Sequence, residues 1–137
     1  MLSITEEEKF STIDLCIIDG KKNIYDFIKL GATSGYLKRD KGECEIIDSS
    51  GLPVGVLEEI RPHITRKIIS PFDMLVFVSD GVTDSFEGKM ELSEYIRNSD
   101  IINPLTLSKT ILNEALKING GIANDDMTVI CVRVFED

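Results

Sequence analysis

The chain has 137 residues, of which 42% are hydrophobic and 28% charged, a composition suited to one domain with a modest buried core. Fifteen basic against twenty-four acidic side chains leave a formal net charge of −9, which repels nucleic acid and anionic membrane from any broad surface. The longest apolar stretches, such as Met74 to Val78, are far shorter than a membrane span, so no membrane insertion by this segment is expected.

Ser11 to Asp19 alternates in part, with Ile13, Leu15 and Ile17 on one face, and predicts a strand that ends in the turn Gly20 to Asn23. Ile24 to Leu30, Gly35 to Arg39 and Cys44 to Ile47 follow as three further strands, separated by Gly or Lys-Gly punctuation. That spacing predicts an antiparallel meander. Ser49 to Leu57 reads as a loop with two glycines and Pro53, and strand composition resumes from Ile64 to Ile69. Met74 to Val78 lacks polar alternation, which predicts a strand buried on both faces and closed by the turn Ser79-Asp80-Gly81.

Downstream, Glu91 to Arg97 predicts a short helix and Pro104 to Ile118 a longer one. The longer helix has Asn103 as its cap, Pro104 at its first position, and Leu107, Ile111, Ala115 and Ile118 on one face. Gly120-Gly121 closes it, Asn124-Asp125-Asp126 forms a polar turn, and Met127 to Phe135 alternates as a final strand. Strands, then helices, then a returning strand predict α+β layers. With only two late helices, one sheet face lacks a cover, so it is expected to expose aliphatic side chains or to bury them against another copy in a homo-oligomer.

Cys16, Cys44 and Cys131 are odd in number and scattered, which predicts buried free thiols in a reducing compartment. No basic-then-apolar leader precedes Ile4, and the expectation is a soluble, cytoplasmic protein.

Two acidic turns carry the chemistry: Ser79-Asp80-Gly81-Val82-Thr83-Asp84 at the end of an apolar strand, and Asn124-Asp125-Asp126-Met127-Thr128 at the start of another. Carboxylates held rigidly at a sheet end suit hard divalent cations such as Mg²⁺ or Mn²⁺, because the cation offsets the cost of desolvating the charge. Each turn alone is ordinary turn chemistry. Their order, with a long helix between and Asp80 and Asp125 45 positions apart, is more specific. Nucleophile alternatives fare poorly: His63, the one histidine, lies in a Pro-His loop, and no Cys-x-x-Cys pair or lysine-bearing phosphate loop occurs. A metal-bound water is the nucleophile that remains. Val76 to Ser85 also has a superficial likeness to haloacid-dehalogenase-type phosphatases, but the position of their attacking aspartate is Val78 here.

Six stations in order then carry a family resemblance: Ser11 to Leu15, Phe27 to Ala32, Tyr36 to Arg39, Gly51 to Leu57, Val78 to Asp84 and Asn124 to Val129. From about Phe10 onward, the chain resembles the latter part of the phosphatase domain of the stage II sporulation protein E family. That family lies within the PPM (protein phosphatase 2C-like) superfamily. The resemblance implies a PPM-type antiparallel β-sandwich flanked by helices, present here as its C-terminal portion, with two Mn²⁺ or Mg²⁺ ions at one end. It implies that Asp80 and Asp125 are metal ligands, that Asp84 stands beside the site, either acting through them or holding an accessory ion, and that Asp126 orients its turn. No chemical role attaches to Gly31 or to Gly51 to Leu57.

The family's Asp-Gly pair, whose aspartate bridges both ions, has no counterpart before Phe10, so residues 1–137 are expected to be a partial domain that is nearly inactive alone. The implied partners are the missing amino-terminal half and a phosphoserine protein of the anti-sigma-factor antagonist type, in sporulation or stress signalling. The rival expectation is a non-catalytic regulatory or interaction module derived from the same fold.

Overall fold

Seven strands and three helices make up the described parts of a computed structural model, residues 11–49 and 62–135. The strands are β1 (Ile13–Asp19), β2 (Ile24–Leu30), β3 (Gly35–Lys38), β4 (Cys44–Ile47), β5 (Ile64–Ile68), β6 (Met74–Val78) and β7 (Val129–Arg133). The helices α1 (Asp80–Ser85), α2 (Lys89–Asn98) and α3 (Pro104–Ile118) fall between β6 and β7. The loop Gly51 to Leu57, one of the six stations, lies outside the described residues.

The predicted meander is corrected in one respect, because its strands are divided between two antiparallel sheets, ordered β1-β2-β5 and β4-β3-β6-β7. The chain leaves the first sheet at Gly31, whose φ of 63° lies in the left-handed region where a side chain is strained. It enters the second at Gly35. A side chain at Gly35 would be tightly confined, since an added Cβ would lie 3.3 Å from the end of the Lys29 side chain.

Period-two alternation sorts the apolar residues into two cores. Tyr25, Phe27, Leu37, Ile47 and Leu75 fill the space between the sheets. Tyr36, Met74, Val76 and Val78 face the other way and pack against Val82, Leu92, Ile96, Leu107, Ile111 and Ala115 of the helices. The layers are therefore sheet, sheet, helices. Met74 to Val78 is buried on both faces, as its unbroken apolar run predicts. Ile118, at the end of its predicted face, is 47% exposed, and the three cysteines are free thiols that are half-buried rather than buried.

A polar pin joins the sheets at the start of β6. Asp73 is fully buried, and its Oδ2 accepts hydrogen bonds from Tyr25 Oη (2.9 Å), Arg39 Nη1 (2.9 Å) and the Ser70 amide (2.8 Å). Three donors offset much of the cost of burying that carboxylate.

Candidate functional site

Antiparallel pairing of β6 with β7 fixes the geometry of the site. The last ladder pair is Val78 with Val129, and the Ser79 amide extends the ladder by donating to the Thr128 carbonyl at 3.0 Å. The Ser79 hydroxyl then ties the two acidic segments together, donating to the Asp126 carbonyl at 3.0 Å and accepting from the Thr128 amide at 2.9 Å. Asp80 follows at once as the first residue of α1.

Gly81 is the residue that lets the segments meet. A Cβ at that position would lie 2.5 Å from the Asp126 carbonyl oxygen and 3.4 Å from the Asp125 carbonyl carbon. No side chain fits against that backbone, so the glycine is required by close approach. Asp125 caps its own turn, its Oδ1 accepting from the Asp126 amide at 2.8 Å.

The sequence-predicted site residues thus fall at one corner of the sandwich. Asp80, Asp84 and Asp125 are all exposed there, as is Asp126. The turn predicted at Ser79-Asp80-Gly81 is corrected to the start of a helix, Asp80–Ser85. Helical spacing puts Asp84 four residues on, on the same side of α1 as Asp80.

Carboxylate oxygens at a rigid, solvent-reached corner are the donor chemistry that Mg²⁺ and Mn²⁺ select. Among the described residues no three His, Cys, Asp or Glu side chains converge into a complete ion-holding group. Asp80 and Asp125 therefore fit as part of a donor set, with further oxygens needed from water or from another polypeptide segment.

Behind the corner runs a polar chain that sequence reasoning missed. Thr83 of α1 shares a hydrogen bond with Thr33 at 2.9 Å, and the Thr33 carbonyl accepts from Lys29 Nζ at 3.0 Å. Lys29 is 2% exposed and pairs with Asp14 at 2.6 Å. The signal was present in the alternation, since Lys29 occupies the same inward face as Phe27 and Tyr25, two and four positions away. Asp14, Ser79 and Thr128 line one cleft of about 380 Å³ between the sheets.

Thiol chemistry is disfavoured. Burial, with the charges of Asp14 and Asp26 added, pushes the Cys16 thiol up to about 11, and burial pushes Cys131 up to about 12. Neither is a ready nucleophile at neutral pH.

Among solved structures, this arrangement is that of PP2C-type phosphatase domains. The phosphatase domain of the cell fate determinant SpoIIE from Bacillus subtilis matches with a TM-score of 0.79 at 23% identity, over 93% of this chain and 58% of that one. The catalytic domain of the serine/threonine protein phosphatase PstP, solved in complex with 2 manganese ions, matches with a TM-score of 0.66 at 20% identity, over 90% of this chain and 58% of that one.

Sequence narrows the class. The family described as Stage II sporulation protein E (SpoIIE) matches residues 1–135, and the chain belongs to that family. Stage II sporulation protein E of Priestia megaterium is 31% identical over 137 residues, covering 95% of this chain and 23% of that protein. The chain therefore spans under a quarter of that relative's length.

Proposed function

We propose that this chain is the C-terminal part of the catalytic domain of a metal-dependent protein serine/threonine phosphatase. Asp80 and Asp125 serve as ligands to Mn²⁺ or Mg²⁺, and Asp84 stands beside them. The observation that carries this reading is the close approach at Gly81, which sets the Asp80 segment against the Asp125-Asp126 backbone. When bound at such a site, divalent ions supply Lewis acidity at phosphorus-bound oxygen and lower the pKa of water. The chain's own part is to hold carboxylates in place: β6 and β7 are locked in register, and Ser79 fastens one acidic segment to the other.

The substrate class we assign, from the resemblance to the stage II sporulation protein E family, is a phosphoserine protein of the anti-sigma-factor antagonist type, met in the cytoplasm. Two adjacent divalent ions carry four positive charges, and three aspartates offset at most three of them. A bridging carboxylate also holds such ions about 3.5–4 Å apart. This chain by itself is therefore expected to bind Mn²⁺ weakly and to turn over little.

Joining the chain to an amino-terminal segment that carries a bridging Asp-Gly pair should produce Mn²⁺-dependent release of phosphate from a phosphoserine protein. In that polypeptide Asp80→Asn and Asp125→Asn should reduce release to background with the fold retained, and Asp84→Asn should cost about 10–100-fold. Unchanged release in Asp80→Asn and Asp125→Asn would overturn the assignment.

A further inference from the structure

A groove of about 630 Å³ opens on the helical layer between α2 and α3, away from the sheets. Its floor is apolar and only partly covered. Phe86 and Tyr95 meet there with ring centroids 5.1 Å apart, beside Ile101 and Ile118. Ile118 continues the buried stripe of Leu107, Ile111 and Ala115, yet is 47% exposed, at the open end of the groove.

The rims carry one sign of charge. Glu87, Glu91 and Glu94 stand on one side and Glu114 on the other, and no lysine or arginine lines the groove. Arg97 pairs with Glu94 at 2.5 Å, whereas Glu87, Glu91 and Glu114 have no ion pair with any described residue. Burial first, then the charge of Glu114, raises the Tyr95 phenol above its ordinary value.

We propose that this groove is a docking site for a basic amphipathic helical segment of another polypeptide. An apolar floor between acidic rims selects a ligand with Leu-type anchors at i, i+3, i+4 and i+7 and cations on both flanks. The volume suits several anchoring side chains. Nucleic acid and anionic membrane are repelled by the same carboxylates. A polyamine satisfies the rims but leaves Tyr95, Ile101 and Ile118 wet, so a polypeptide is the better match.

The groove also touches the metal corner from behind. Ser85 lines it, and its hydroxyl donates to the Gly81 carbonyl at 2.7 Å while accepting from Asn119 Nδ2 at 2.8 Å. An occupant thus packs on the helix that begins with Asp80. The docking proposal stands whether or not Asp80 and Asp125 hold metal.

The test is fluorescence anisotropy of a labelled Leu/Lys peptide of about 16 residues, long enough for four helical turns, titrated with the 137-residue chain at physiological ionic strength. Saturable binding is expected. The double reversal Glu91→Lys with Glu114→Lys should weaken it at least about tenfold, whereas Asp19→Lys with Asp26→Lys, the same charge change on the β1-β2-β5 sheet beyond the other sheet from the helices, should leave it within about twofold. A Ser/Lys peptide lacking anchors should bind at least about tenfold more weakly. On the unmodified chain, peptide should slow amide exchange in α2 and α3. Equal weakening by both reversals, equal binding of the Ser/Lys peptide, slowed exchange confined to the sheets, or no binding of the Leu/Lys peptide would each overturn the proposal.

Discussion

Gly81 shows how one missing Cβ organises the corner. An alanine there meets the Asp126 carbonyl oxygen at 2.5 Å, and that atom is backbone already held by Ser79. Gly81→Ala should therefore destabilise by about 1–3 kcal/mol, as overpacked sites do, read as a lowered urea midpoint. It should also displace the Asp125-Asp126 turn, read as amide shift changes at Asp126 to Thr128. A midpoint and spectrum like those of the parent would mean that the two segments are not in contact. Buried acids set a second residue-level property. Cys16 and Cys131 are raised from an ordinary value near 9 to about 11 and about 12, chiefly by burial, and burial also raises Tyr25 and Tyr36. Above pH 9 the unfolded chain releases these protons before the native one does, so it binds fewer protons and stability falls as pH rises. The urea midpoint should decline progressively from pH 9 to pH 11, and a rise over that window would contradict the burial of these groups.

At the scale of elements, α3 is locally specified at both ends. Asn103 Oδ1 accepts from the Thr106 amide at 3.1 Å, and Gly120 and Gly121 end the helix with φ of 72° and 88°. Asn103→Ala should cost about 1 kcal/mol, the usual loss of a cap. Asn103→Asp should recover most of it, since a carboxylate also accepts from the third amide. Equal stability of the alanine variant in thermal unfolding would show that the cap contributes nothing. By contrast α1 is built of Asp, Gly, Val, Thr, Asp and Ser, all weaker helix formers than Ala. It exists because Val82, within the helix, and Phe86, just past its end, are buried in the helical core beside Ile111 and Ala115.

At the scale of the whole molecule, the outer face of the β1-β2-β5 sheet is the conspicuous loose end. Ile13, Leu15 and Ile17 of β1 and Ile64 and Ile68 of β5 are between 42% and 67% exposed, around an Asp26–Arg66 pair at 2.7 Å. Pairing of Leu15 with Ile28, and of Ile28 with Ile64, puts these side chains on one surface. Contiguous apolar faces of this kind commonly mark interaction sites. The chain alone is expected to self-associate through it, and Leu15→Lys with Ile64→Lys should shift light scattering toward the monomer. A parent chain already monomeric at high concentration would refute this expectation.

The sequence by itself determined the elements whose signals are local. Met74–Val78 and Pro104–Ile118 match their predicted bounds, because an unbroken apolar run and a capped amphipathic stripe depend on near neighbours alone. The ordered acidic motifs were legible for the same reason. Only the tertiary structure decided which strands share a sheet, since pairing is non-local and the left-handed Gly31 sends β3 to a different sheet from β2. It also decided that Asp80 opens a helix rather than closing a turn, because burial of Val82 overrides weak local propensity. The meeting of Gly81 with the Asp126 carbonyl is likewise tertiary: residues 45 positions apart come together only through the β6–β7 register, which no local window contains.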